Sequence, residues 1–173
     1  IHQNLRRKNH SLTVTAVKGK KIGTATTNLL DERSLRWVVH KAQESMEFAQ
    51  EDPDLPSLFK AESAPFVNTY VPHTAQMTPE DRALGCGTLI SSAHEKGILA
   101  SGTYSTSTRE TAVVNTSGTR AYNMSTEAFF KTVVESGNNT GYADRLVRDA
   151  RDIDYRDVAE EAIKRALCSG DPI

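Results

Sequence analysis

The feature that most constrains the fold is a long alternation of polar and apolar residues in the middle of the chain. Residues 101–123 read SGTYSTSTRETAVVNTSGTRAYN, and a Ser117-Gly118 pair interrupts the pattern. A period of two predicts β-strands, and a Ser-Gly pair between two such runs predicts a turn. The stretch contains neither Cys nor His and has no cluster of charges. We therefore expect an antiparallel β-ribbon that supplies no catalytic group.

The start of the chain predicts a β-hairpin followed by a helix. Residues 11–27, SLTVTAVKGKKIGTATT, alternate on both sides of Gly19, and Gly is the residue that suits a turn. Asp31 follows as a suitable helix N-cap. The helix has an apolar stripe that excludes Trp37 and Phe48, and the stripe consists of Leu35, Val38, Val39, Ala42, Met46 and Ala49.

A second helix precedes the ribbon. Thr78 and Asp81 have the spacing of a capping box, and Gly97 is placed to end the helix in the left-handed conformation. An interior Gly costs a helix about 1 kcal/mol relative to Ala. We therefore expect Gly85 and Gly87 to mark a close approach of this helix to a sheet.

The ribbon region predicts three or four antiparallel strands, with a loop at GNNTG, residues 137–141, where Asn138 and Asn139 tolerate positive φ. The last helix is capped by Asp154. Its apolar stripe consists of Tyr155, Val158, Ala159, Ala162, Ile163, Ala166 and Leu167.

Between the two halves, residues 51–77 contain four of the six prolines and show no periodicity. Because proline disfavours helix interiors, this stretch predicts an extended linker. The order is therefore hairpin-helix, linker, helix-strands-helix, with residues 78–170 as a second domain. Strands and helices that are segregated along the chain predict an α+β fold with antiparallel sheets and flanking helices.

Charge and composition exclude several classes of protein. The 21 Lys and Arg residues are balanced by 22 Asp and Glu residues, whereas nucleic-acid binders usually carry a basic surface. The run Arg6-Arg7-Lys8 is more typical of a solvated chain end than of a DNA-binding arm. No window approaches the roughly 18 apolar residues that a membrane span requires. We expect a cytoplasmic protein that binds neither nucleic acid nor membrane.

Known catalytic and metal-binding patterns are incomplete in this chain. The pair His94-Glu95 begins a zinc-peptidase phrase, but no second His follows it. Cys86 and Cys168 lie in apolar helical contexts, so we expect both to be buried as small hydrophobic residues. The aspartates of residues 144–157 alternate with arginines, which favours a solvated segment over a metal site. We therefore predict no catalytic residue, no metal ligand and no cofactor in this chain.

Several phrases together resemble the TldD/PmbA family of zinc-dependent peptidases and their non-catalytic partners, which are also called modulators of DNA gyrase. IGTATTNLLDERSLRWVVHKAQESMEFAQEDPDLP resembles the end of that family's first domain. The phrases TPEDRALGCGTLISSAHEKGILASGTYSTSTRETAVVNTSGTRAYNMSTEAFFKTVV, ESGNNTGYADRLVRD and YRDVAEEAIKRA resemble its middle domain. The resemblance implies that residues 1–50 are the C-terminal part of a first α/β domain.

The resemblance also implies a function. It implies a second subunit of the same family, in a homodimer or a heterodimer, and a peptide substrate that the assembly encloses. The family's His-Glu-x-x-x-His motif is not in this sequence, so zinc is expected only in a C-terminal part of a catalytic member. One alternative is a stand-alone structural or interaction module without peptidase activity. Another is a nucleic-acid modulator that would bind DNA through residues 6–8.

In this context the ribbon is a candidate wall of a peptide-binding chamber. An extended peptide can add to the backbone edge of such a ribbon as a further strand. The side chains beside the turn that we select as substrate contacts are Asn115, Arg120 and Tyr122. The alternative is that these three are solvated rim residues.

Overall fold

The computed structural model describes residues 3–56, 65 and 67–168. These residues form two antiparallel sheets and four α-helices, which confirms the predicted α+β fold. The chain divides into two compact units, residues 2–59 and residues 60–173. Among the described residues, no helix has the length and apolar character needed to cross a membrane.

The first unit is a two-stranded hairpin with one helix, as the sequence predicts. Strand β1 (Leu12–Lys18) pairs antiparallel with strand β2 (Lys21–Thr27), and Gly19 turns the chain at φ 61°. Helix α1 (Glu32–Phe48) follows, and the Asp31 carboxylate accepts the backbone N–H of its first turn. The predicted hairpin, cap and helix are therefore confirmed.

Helix α1 lies very close to β2. The residues of α1 that are buried are Val38, Ala42 and Met46, which are four apart and define the contact face. Gly23 lies under this face, where a Cβ would collide with the backbone of Ala42 and Met46. Val39, which the predicted stripe includes, is 43% exposed, because a two-stranded sheet is too narrow to cover the side of the helix.

The second unit is a three-stranded sheet with helices on one face. Its elements in chain order are helix α2 (Pro72–Gln76), helix α3 (Pro79–His94), strand β3 (Leu99–Val114), strand β4 (Arg120–Ser136), strand β5 (Asn139–Val147), a short 3-10 turn (Ala150–Asp152) and helix α4 (Tyr155–Cys168). The strand order is β3-β4-β5, and all pairings are antiparallel. The core lies between the sheet and the helices, and its largest fully buried side chains include Phe130, Val134, Val158 and Ile163.

Strand β5 is absent from the prediction, which assigned its residues to a loop and a solvated segment. The turn that precedes it has positive φ at Gly137 (59°) and at no described Asn. Gly141 and Ala143 lack the bulk that is typical of strand residues. The structure explains their size: a Cβ on Gly141 would collide with the Ala162 carbonyl of α4, and Ala143 is fully buried.

The linker prediction is wrong at Pro72–Gln76, which forms helix α2. Pro72 occupies the first helical position, where the missing N–H costs nothing. The buried Thr74 then joins α2 to the stretch that follows β5, because its hydroxyl donates to the Arg148 carbonyl (2.9 Å) and accepts from the Ala150 N–H (2.8 Å). Residues 71–76 are therefore part of the second unit's fold.

Helix α3 begins with the predicted capping box, in which Thr78 and Asp81 bond to each other's backbone. Its close approach is to helix α4 rather than to the sheet, because a Cβ on Gly85 would lie 2.7 Å from the Tyr155 ring. Gly87 has open space around it, so the same prediction fails there. Cys86 is partly buried against the core, but Cys168 is exposed, contrary to prediction, because it lies two residues after the buried Ala166 and therefore on the other side of α4.

Candidate functional site

The strands β3 and β4 are much longer than the strand beside them. Strand β5 pairs only with residues 128–136 of β4. Residues 120–127 of β4 extend beyond β5 and pair with residues 107–114 of β3. We call this two-stranded extension, together with the turn at residues 115–119, the distal ribbon. Its β3 residues from Arg109 to Val114 are all exposed.

The turn of the distal ribbon is closed by Asn115. The Asn115 side-chain oxygen accepts the backbone N–H groups of Ser117 (3.1 Å) and Thr119 (2.9 Å). The Asn115 N–H donates to the Thr119 carbonyl (3.2 Å), and Gly118 has φ 95°. Because its oxygen already accepts two bonds, Asn115 has its amide NH₂ as the remaining donor for a ligand.

Tyr122 and Arg120 lie two residues apart on β4 and therefore share a face of the distal ribbon. The Tyr122 hydroxyl donates to the Glu110 carboxylate (3.1 Å), and this bond is the main cause of the raised pKa of Tyr122. Tyr122 remains 60% exposed. Glu110 is absent from the predicted site, although the hairpin register about Ser117-Gly118 places it near Tyr122.

The three predicted contact residues thus occupy one end of the ribbon but perform different tasks. Asn115 shapes the turn, Tyr122 bonds across the strands, and Arg120 is exposed at the start of β4. The structure brings Arg120 and Tyr122 to one face. Whether any of them contacts a substrate stays a prediction.

Among the described residues of the second unit, the outer edge of β3 is the longest open backbone edge. The bond from the Asn115 N–H to Thr119 fixes the phase of the pairing, so that odd-numbered residues of β3 direct their backbone N–H and C=O groups toward β4. Even-numbered residues from 100 to 114 therefore direct theirs outward. In the part of the chain that the structure describes, no strand pairs with this edge.

This edge has few of the features that usually protect an exposed strand. In its 16 residues β3 has no proline, and its charged residues are Arg109 and Glu110. Natural sheets commonly protect such edges with lysines, prolines or bulges, or cover them. The edge is rich in Ser and Thr, whose side chains tolerate a polar neighbour.

The free side of β4 in the distal ribbon is used differently. There Thr69 forms an isolated parallel β-bridge with Ser125 of β4. The Thr69 carbonyl accepts the Thr126 N–H (3.0 Å), and the Thr69 hydroxyl donates to the Met124 carbonyl (2.8 Å). The chain itself therefore covers part of this edge, which leaves β3 as the open side.

The described residues do not fit a metal ion. Nowhere among them do three His, Cys, Asp or Glu side chains come together. His94 and Glu95 are both exposed at the end of α3. Arg145 bonds to Asp157 (2.7 Å) and Glu161 (2.8 Å), so these carboxylates are part of an ion-pair network between β5 and α4. The prediction that zinc belongs outside this sequence stays a prediction.

The first unit has an open concavity of about 870 Å³ beside the start of α1. Its lining includes His10, Arg33 and Trp37. Asp31 also faces it, but this carboxylate accepts the Ser34 N–H (3.0 Å) and hydroxyl (2.7 Å), which lower its pKa. The hollow therefore presents isolated polar groups and not an assembled site.

A comparison with protein-family models matches residues 78–169, more than half of the chain, to the PmbA/TldA metallopeptidase central domain. The chain belongs to the PmbA/TldD family. The matched region begins at the Thr78 cap and includes the β3–β4–β5 sheet and helix α4. A comparison with curated proteins gives no match.

Solved structures of similar fold carry the same family names. TldE from Thermococcus kodakarensis has a TM-score of 0.75 at 16% identity, with 91% of this chain and 37% of that chain covered. A protein of Bacteroides thetaiotaomicron named as a modulator of DNA gyrase has a TM-score of 0.77 at 15% identity, with 91% and 39% covered. One of the same name from Thermotoga maritima has a TM-score of 0.73 at 16% identity, with 91% and 37% covered.

These likenesses support the fold of the PmbA/TldD chain. The chain spans less than two fifths of the length of each of these relatives. The likeness alone therefore does not show that this chain has the activity of the whole relatives.

Proposed function

We propose that this chain is a non-catalytic region of a TldD/PmbA-type metallopeptidase and that it helps to enclose an extended peptide. The peptide adds as a further strand to the outer edge of β3. The single observation that supports this proposal is the open backbone edge of β3, which extends over 16 residues without a protecting proline or lysine.

Strand addition suits a peptidase substrate because it recognises the main chain. Every residue of an extended peptide offers one N–H and one C=O, so an edge of this kind binds many sequences in one geometry. Even-numbered residues of β3 supply the complementary groups. The Ser and Thr side chains on both faces of β3 would leave the choice of peptide side chains open.

The catalytic ion and the second subunit complete this proposal. In this proposal zinc belongs to a part of a catalytic member outside this sequence, because the family's His-Glu-x-x-x-His motif is not in it. The partner is a second TldD/PmbA-type subunit, in a homodimer or a heterodimer, and the location is the cytoplasm. Nucleic acid and membrane are not partners in this proposal.

The proposal is tested by peptide binding to an edge variant of β3. Thr108 is exposed, and its N–H points outward. Thr108→Pro removes that donor, and an edge strand tolerates proline at such a position. A labelled, uncharged peptide of about eight alternating Thr and Val residues should bind the wild-type chain and lose about three- to tenfold in affinity with Thr108→Pro, as expected for one hydrogen bond.

Thr108→Ala is the matched control, because it shortens the side chain and keeps the N–H. It should bind the peptide as the wild type does. Equal affinity of wild type and Thr108→Pro, with both folded by circular dichroism, would exclude strand addition at β3. Arg120→Ala and Tyr122→Ala separately test the side chains: unchanged affinity would remove them as contacts and leave the backbone edge.

A further inference from the structure

The outer edge of β3 carries two adjacent charges in an otherwise uncharged strand, at Arg109 and Glu110. Consecutive residues of a strand direct their side chains to opposite faces of the sheet. Glu110 therefore lies on the same face as Tyr104, which packs against the core, and Arg109 lies on the face that the helices do not cover. Each face of the edge thus has one charge, and the two charges have opposite signs.

Neither of these side chains is neutralised by an ion pair within the part of the chain that the structure describes. The Arg109 guanidinium has no ion-pair partner there, although Glu127 lies diagonally across from it on β4. The Glu110 carboxylate accepts the Tyr122 hydroxyl (3.1 Å), and its second oxygen remains as an acceptor. Both charged residues are exposed. They can therefore pair with charges on a strand that is added to the edge.

The phase of the β3 backbone determines how closely such charges approach. Even-numbered residues such as Glu110 direct their N–H and C=O groups outward, so they form the hydrogen-bonded pairs with an added antiparallel strand. Odd-numbered residues such as Arg109 form the non-hydrogen-bonded pairs, in which the two Cα atoms are only about 4.5 Å apart. Opposite charges in directly facing pairs stabilise a sheet, and like charges destabilise it.

We infer that Arg109 and Glu110 set the register and the direction of the peptide on the β3 edge. In an antiparallel peptide, the residue that faces Glu110 comes immediately before the residue that faces Arg109. The edge therefore selects an extended peptide in which a basic residue is followed by an acidic one. This inference rests on the proposed function, because it requires strand addition at β3.

The direction follows from the order of the two charges. A parallel peptide would need the acidic residue first, but parallel pairing is slightly less stable, and β3 already pairs antiparallel with β4. The neighbouring positions of the edge, such as Ser107, Thr108 and Thr111, are uncharged. Selection is therefore confined to two adjacent peptide residues, and the other residues of the peptide can vary.

The test compares two peptides of identical composition. Both are the labelled peptide of about eight alternating Thr and Val residues with blocked ends, and the two central residues are replaced by Lys-Glu in one and by Glu-Lys in the other. Neither has a net charge, so any unspecific attraction is the same. By fluorescence anisotropy, the wild type should bind the Lys-Glu peptide about three- to tenfold more tightly than the Glu-Lys peptide.

The uncharged peptide is the reference for both. The Glu-Lys peptide should bind about as the uncharged peptide does, because a shift by two residues keeps the backbone bonds and moves its charges to uncharged positions of the edge. At about 1 M salt the preference for Lys-Glu should decrease, because the Debye length is then about 3 Å. The affinity for the uncharged peptide should not decrease with it.

A variant that exchanges the two charges tests the residues themselves. The double variant Arg109→Glu with Glu110→Arg keeps the composition of β3 and should prefer the Glu-Lys peptide by a similar factor. Glu127→Gln is the matched control, because it removes an exposed charge from the neighbouring strand and not from the edge. It should keep the preference for Lys-Glu within about twofold. Circular dichroism checks that each variant is folded.

The outcomes separate this inference from the proposed function. If the uncharged peptide binds and is weakened by Thr108→Pro, but the two charged peptides bind equally, strand addition stands and this inference is wrong. A wild type that prefers Glu-Lys, or an exchanged variant that keeps the wild-type preference, also overturns it. Charged peptides that are distinguished but are not weakened by Thr108→Pro would place their contact away from the edge and overturn it. If no peptide binds, the proposed function is wrong and this inference fails with it.

Discussion

The hydroxyl groups of Tyr104 and Tyr155 lie 2.8 Å apart and share one hydrogen bond between strand β3 and helix α4. Their rings both pack against Phe130, with centroids 5.3 and 5.4 Å from it. Burial and the bond to Tyr155 raise the pKa of Tyr104. This aromatic cluster therefore holds the helix layer to the sheet that carries the open edge.

We predict that Tyr104→Phe and Tyr155→Phe each lower the free energy of unfolding by about 0.5–1.5 kcal/mol, because each removes the hydrogen bond between the two hydroxyls. The double variant should cost less than the sum, by about 0.5–1 kcal/mol. Urea unfolding followed by circular dichroism measures this, since the single Trp, Trp37, lies in the first unit.

The control for this cycle is Tyr122→Phe, whose hydroxyl bonds to Glu110 on the exposed ribbon. It should change the free energy of unfolding by less than about 0.5 kcal/mol. Strictly additive costs for Tyr104 and Tyr155 would contradict a shared bond.

Two glycines that look alike in the sequence should respond to Ala in opposite directions. A Cβ on Gly141 would collide with the Ala162 carbonyl, so Gly141→Ala should destabilise the second unit by about 1–3 kcal/mol. Gly87 lies inside α3 with open space around it, so Gly87→Ala should stabilise by about 0.5–1 kcal/mol. Urea midpoints measure both, and a neutral Gly141→Ala would refute the close approach of α4.

These glycines also show why part of the fold was predictable and part was not. Signals that act within a few residues, such as the Thr78–Asp81 capping box and the alternation of β3 and β4, were sufficient to locate their elements. The sequence analysis did not predict strand β5, because Gly141 and Ala143 are smaller than typical strand residues. They are small because helix α4, which begins 14 residues after Gly141, packs closely against the strand. Packing between distant segments has no local signature.

The candidate site also has a part that the local sequence predicts and a part that depends on the arrangement of the strands. The alternation and the Ser117-Gly118 turn predicted a ribbon, and the structure contains it. That the outer edge of β3 is open depends on the strand order, which places β5 on the other side of β4. The engagement of Asn115 with the backbone of its own turn likewise required the turn geometry. The sequence therefore indicated the element, and the topology indicated which of its atoms are available.

The last prediction concerns acid pH and the loop between β5 and α4. Arg151 donates to both carboxylate oxygens of Asp149, and these bonds together with the Arg151 backbone N–H lower the pKa of Asp149 from 3.8 to about 2. A carboxylate whose pKa is lower in the folded chain stabilises the fold above its unfolded pKa, and this stabilisation decreases as the pH falls toward the folded pKa.

The wild type should therefore exceed Asp149→Asn in stability by a constant amount above about pH 5. The difference should shrink between 3.8 and about 2. Urea midpoints at a series of pH values measure it, and the stability advantage of the wild type over Arg151→Gln should shrink over the same range. A difference that stays constant down to the lowest pH would show that the ionised Asp149 does not contribute through this pair.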